Sequence, residues 1–135
     1  MNRSTLNNKI ESVLRCLNRI ESQNVQNQND LVDNYDKQDI VMLNLERAIQ
    51  LCTDIAAHIL ADHADTISPT MAAAFSNLAK LNIIPQDLSL RLSKAVGFRN
   101  LAVHQYKEID YSIVYGILQN CLIDIKHFIK IISQL

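Results

Sequence analysis

From Arg99 to Tyr106 the chain reads R-N-L-A-V-H-Q-Y, which brings a permanent cation, an amide, an imidazole and a phenol into eight residues. These types suit the handling of phosphate. A guanidinium offers a rigid fork of donors to phosphoryl oxygens, an imidazole exchanges a proton near neutral pH, and a phenol hydroxyl donates, accepts or is modified. Helix geometry restricts how they can act together. Asn100 and His104, four apart, share one face of a continuous helix, whereas Arg99 and His104, five apart, point about 140° away from each other. Either the helix distorts or ends between them, or each meets its counterpart from a second copy of the chain across a symmetric interface. A two-fold site would also double the positive charge in one cleft. By residue type alone the same pair fits a surface or capping role, because a histidine near a helix C-terminus interacts well with the helix dipole.

A second polar pair, Asp54 and His58, is spaced four apart and can share a helix face. Its plainest role is a stabilising contact, with a share in a dimer cleft. His63, Asp65 and His127 have no second and third partner at metal-ligand spacing, so no metal is expected. Tyr111 and Tyr115, also four apart, could stack bases, but a helical tyrosine pair is more often half-buried packing or interface; Tyr35 falls in a polar connection. Two glycines leave no phosphate-binding loop, and no cofactor is expected.

The elements that must position these groups read as helices throughout. Leu6, Ile10, Val13, Leu17 and Ile20 predict an amphipathic helix over about residues 4–23. Residues 22–34, rich in Asn, Gln, Ser and Asp, read as a loop or a poorly ordered segment. From Lys37 the three-and-four spacing of Val41, Leu45, Ala48, Cys52, Ile55 and Ile59, widened by Leu51 and His58, predicts a long core helix to about residue 62. Ser68 and Pro69 can start a short helix over residues 69–80 with Met71, Phe75 and Leu78 inward, closed by Asn82. Pro85 opens a fourth helix with Leu88, Leu92 and Ala95 on one face. Gly97 within it costs about 1 kcal/mol against alanine, which close approach by a partner or ligand could offset. Asp110 caps a last helix carrying Val114, Ile117, Cys121, Ile125, Phe128 and Ile132. The expected fold is all-α, an antiparallel up-and-down bundle of four long helices plus a short one, forming a single domain over residues 1–135.

Composition narrows the function classes. The 13 basic residues nearly cancel the 14 acidic ones, so any affinity for nucleic acid must come from local potential or from assembly around Arg99. Cys16, Cys52 and Cys121 lie far apart on apolar stripes and read as reduced core residues. No apolar run approaches the length of a membrane span, and a cytoplasmic location without membrane attachment is the expectation.

The Arg-x4-His-x-Tyr segment, its place before the last helix and the D-I-A-x-H-I stretch at Asp54 to Ile59 give nearly the whole chain a resemblance to the HEPN-type ribonucleases. Within them it is most similar to the HepT-like toxins that pair with a minimal nucleotidyltransferase antitoxin. The resemblance implies a metal-independent endoribonuclease acting as a homodimer on RNA, with Arg99 and His104 as the ribonuclease pair and Asn100 as the polar residue beside the arginine. It further implies that RNA is cut to a 2′,3′-cyclic phosphate end and a 5′-hydroxyl end, and that the partner enzyme inactivates the toxin by transferring AMP to Tyr106. Two other functions fit the residues: a noncatalytic binding subunit of a nucleotidyltransferase complex, and a helical interaction module without any nucleotide connection.

Overall fold

The structure, a computed structural model, describes residues 2–63, 71–104 and 109–135, without the side chains of residues 71, 72, 103 and 104. Among the described residues six helices follow in order: α1 (Arg3–Glu21), α2 (Gln28–Val32), α3 (Tyr35–Ala61), α4 (Met71–Lys80), α5 (Gln86–His104) and α6 (Tyr111–Ser133). Among the described residues there is no strand, and the chain is an all-α bundle as its periodicity requires.

Polar caps start the helices. Asn2 accepts from the Ser4 amide, Asn34 from the Lys37 amide and Asp110 from the Ser112 amide, each satisfying a backbone donor that a first turn leaves free. Asn82 ends α4 with φ 59°, a left-handed conformation that asparagine tolerates, while the Ile83 amide bonds back to the Leu78 carbonyl at 3.0 Å. Pro85 lies just before α5, where its missing amide hydrogen costs nothing. Ser68 and Pro69 lie outside the described residues.

The polar stretch after α1 differs from its sequence reading. Asn27 and Asp30 form a reciprocal capping box that nucleates α2, and Leu31 is fully buried. One apolar anchor and two capping bonds suffice to order a segment whose composition alone reads as loop.

Helix α3 is the hub, packing on α1, α4, α5 and α6, while α4 lies along α5 and α2 lies against α6. The apolar stripes named from sequence meet in one core, except Ile117, which is half-buried outside it, and Met71, whose side chain lies outside the described residues. Phe75 of α4 meets Phe128 of α6 edge to face, with ring centroids 5.4 Å apart. His58 departs from its expected place: it is exposed and does not widen the core stripe of α3. Cys16 and Cys52 are buried and Cys121 is half-buried, all three as free thiols. Burial pushes the Cys52 thiol well above its ordinary range and the Cys121 thiol up to about 11.

Polar ties fix the outer faces. Arg91 of α5 donates to Asp124 of α6 at 2.9 Å and to Asp87 at 3.1 Å, which orients α5 against α6. Arg3 donates to the Ser133 and Leu135 carbonyls, closing the start of α1 onto the end of α6. Tyr111 and Tyr115 are half-buried against the core, and the Tyr115 hydroxyl donates to the Gln26 carbonyl at 3.2 Å. No described helix is long and apolar enough to cross a membrane.

Candidate active site

Arg99 sits where an apolar residue would be expected. Leu88, Leu92, Ala95 and Ala102 are buried along one face of α5, and Arg99 falls on that face between the last two. The side chain is accordingly half-buried. One terminal nitrogen, Nη1, donates to Asn100 Oδ1 at 3.2 Å, while the Nε–H is buried and has no acceptor among the described residues. A guanidinium so held is desolvated on its inner side and keeps donors uncommitted.

The group facing it was not singled out from sequence. Glu46 of α3 is half-buried, and its Oε1 is likewise buried without a partner among the described residues. Burial raises its carboxyl above the usual range, and the Arg99 guanidinium nearby pulls it partly back. The two charges therefore interact across the α3–α5 contact while no direct ion pair closes between them. A signal existed in each helix: Glu46 interrupts the buried run Met42, Ile49 and Thr53, as Arg99 interrupts that of α5. Two opposite charges breaking two apolar stripes are what a buried polar contact requires.

Asn100 is exposed, and its side-chain oxygen is occupied by Arg99. His104 is the last residue of α5, so the helix continues through both residues and does not end between them. Its Cα lies about 7.5 Å further along the axis and about 140° around from Arg99. Helix α5 alone thus directs the two positions apart. Tyr106 lies outside the described residues.

Asp54 and His58 border one open cleft of about 470 Å³ together with Lys9, Ala57 and Ala61. No hydrogen bond or ion pair joins them; Asp54 instead accepts from Gln50 Nε2 at 3.0 Å. Gln50 lies one turn beyond Glu46, so a polar row of Glu46, Gln50 and Asp54 runs along α3 from the Arg99 position toward His58. Among the described residues, no group of three or more His, Cys, Asp or Glu side chains could hold a metal ion.

Residues 13–132 match the family described as ribonuclease HepT-like. The chain is 39% identical to an mRNA nuclease HepT of Shewanella oneidensis over 93% of its own length and 94% of that protein's. It is 28% identical to a tRNA nuclease HepT of Aphanizomenon flos-aquae, over 79% of this chain and 73% of the other. Among solved structures it is similar to a tri-AMPylated Shewanella oneidensis HEPN toxin in complex with an MNT antitoxin, at TM-score 0.90 and 37% identity over the full length of both chains. A toxin–antitoxin structure with AMP-PNP matches at TM-score 0.90 and 35% identity, over 98% of this chain and 100% of that one.

Proposed function

Because the chain belongs to the HepT-like ribonuclease family, we propose that it is a metal-independent endoribonuclease toxin acting as a homodimer, with Arg99, Asn100 and His104 as its catalytic residues. The observation that carries this reading is Arg99 itself, a half-buried guanidinium on an otherwise apolar, core-facing stripe, bonded through Nη1 to the exposed Asn100. Among the described residues no counter-ion is bonded to it, and such a cation is well suited to receive a phosphoryl oxygen, whose charge rises in the transition state.

The divergence of Arg99 and His104 along a continuous α5 favours assembly of the site from two copies. An exposed row on the same helix, Leu90 and Leu101, each 56% exposed, flanks Gly97 on the face that carries position 104 and lies opposite Arg99, so a second copy seated there would meet the His104 position and not Arg99. A Cβ at Gly97 would meet nothing within 4 Å, so no group of its own chain compensates this mid-helix glycine. A second copy approaching closely there would do so.

In the reaction, the RNA 2′-hydroxyl attacks the adjacent phosphorus, its proton passes to one His104 imidazole, and the 5′-oxygen leaves with a proton from the second copy's His104. The products are a 2′,3′-cyclic phosphate and a 5′-hydroxyl, and no metal is consumed or required. Histidine suits both transfers because its ordinary pKa lies near neutrality. Arg99 stabilises the added phosphoryl charge, and Asn100 orients Arg99 through their hydrogen bond. Asp54 and His58 extend the polar row at the cleft edge. A minimal nucleotidyltransferase antitoxin is the proposed partner, supported by the complexes of the similar HEPN toxins. It would transfer AMP to Tyr106, adding bulk and negative charge where an RNA backbone must pass.

Cleavage of cellular RNA in excess EDTA tests the reading, with wild type beside Arg99→Ala and His104→Ala proteins of unchanged circular dichroism. Discrete wild-type products with cyclic phosphate ends, lost in both variants, are expected. Absence of cleavage by a wild type of unmodified intact mass would leave a noncatalytic subunit of the nucleotidyltransferase complex as the better description.

A further inference from the structure

Three arginines gather on the side of the bundle where α1 packs on α3. A cleft of about 640 Å³ between these helices is lined by Arg15, Arg19 and Ser12 from α1 and by Arg47, Gln50 and Leu51 from α3, and no carboxylate among the described residues lines it. Among the described residues, none of the three arginines has an ion-pair partner. Their fields converge on one point: burial pushes the Cys16 thiol at the cleft up, and Arg47, Arg15 and Arg19 all pull it back. Like charges held round one cavity repel, and an anion seated among them removes that repulsion.

The position of the cleft indicates which anion. Gln50 lines it and lies one turn from Glu46, the residue that senses Arg99, so the arginine cleft and the Arg99 position adjoin along α3. Arg15 and Arg19 are spaced about 6 Å apart along α1, a repeat suited to a flexible polyanion rather than to one small ion. The lining holds no aromatic side chain on which a base could stack, which points to the sugar-phosphate chain and not the bases. A chain of net charge −1 needs such a local cluster to hold nucleic acid at all.

We infer that the α1–α3 cleft is a subsite for the backbone of single-stranded RNA, in which Arg15, Arg19 and Arg47 hold phosphates flanking the bond cut beside Arg99. The location of that bond rests on the ribonuclease reading above. Grip of this kind is sequence-tolerant and salt-sensitive.

The test is fluorescence anisotropy with labelled 2′-O-methyl oligonucleotides of several sequences, which lack the attacking hydroxyl and stay intact. Wild type is compared across salt concentrations with an Arg15→Gln, Arg19→Gln, Arg47→Gln triple variant and with the corresponding triple lysine variant, all verified as folded. The glutamine protein is expected to lose affinity on the order of tenfold at 0.1 M salt, uniformly over sequences, with the slope of log K against log salt shallower by about 2. The lysine protein keeps the wild-type slope. With cleavable RNA, the glutamine variant shows raised KM and preserved kcat.

Unchanged affinity and slope in the glutamine variant would overturn the subsite, as would a wild type that binds none of the oligonucleotides. Retained RNA affinity with loss of the nucleotidyltransferase partner would also overturn it, and would reassign the cleft to an acidic protein surface. A wild type that binds with an arginine-dependent slope yet leaves RNA uncut would sustain the subsite and refute the nuclease. Cleavage by the triple variant at wild-type KM would do the reverse.

Discussion

Replacing Glu46 by glutamine tests whether desolvation or Arg99 governs the buried contact between α3 and α5. Among the described residues Glu46 Oε1 and Arg99 Nε are both buried without partners, and the carboxyl is raised from its ordinary 4.5 because burial outweighs the pull of Arg99. A raised folded-state pKa means that the folded protein holds this proton more tightly than the unfolded chain does. The group's contribution to stability is therefore complete below pH 4.5 and is lost as pH rises through the raised value. Glutamine, isosteric and uncharged, does not suffer that loss. Glutamine keeps an acceptor there but no charge, so it relieves the desolvation of the carboxylate, on the order of 1 kcal/mol for a side chain that still partly meets solvent. For 135 residues this corresponds to a rise in Tm of about 3–4 °C. Thermal unfolding followed by circular dichroism at pH 7.5 and at pH 4 is the assay. The gain should appear at pH 7.5 and fade at pH 4. A Glu46→Gln protein that is less stable at pH 7.5 would show that the attraction to Arg99 wins and that the carboxylate is a stabilising partner.

Four further outcomes are expected. Gly97→Ala and Gly116→Ala both place a Cβ in open space on a helix, so each should stabilise the isolated chain by about 1 kcal/mol; sedimentation equilibrium should show weakened self-association for Gly97→Ala alone if α5 forms the dimer face. Phe75→Ala, which removes a ring 1% exposed and its edge contact with Phe128, should cost about 3–5 kcal/mol in denaturant titration. Asn27→Ala breaks the capping box of α2 and should cost about 1 kcal/mol, with faster amide exchange limited to α2 and its contact with α6. Thiol titration at pH 8 should find all three cysteines slow in the folded protein, Cys121 included because its pKa is pushed up to about 11, and all three fast in denaturant.

Local order was largely legible in the chain. The long helices follow from apolar residues at three-and-four spacing, their ends from Asp110, Pro85 and Asn82, and the angular divergence of Arg99 and His104 from their five-residue separation. These features depend on neighbours within one or two turns, and periodicity records such neighbours directly. Helix α2 was missed because its signal is only five residues long and polar, and its stability comes from burial of Leu31 in the finished bundle. His58 was misplaced because the apolar stripe of α3 is wide, and its edge is set by which helices lie beside it.

The site shows the same division more sharply. Residue types and spacing named Arg99, Asn100 and His104 and predicted that one helix could not converge them. Only tertiary structure could place Glu46 opposite Arg99, bond Asp54 to Gln50 rather than to His58, and bring Arg47 beside Arg15 and Arg19. Each of these relations is decided by which stripe of one helix meets which stripe of another. That choice is made by burial of the whole core at once, and the pattern along any single helix does not contain it.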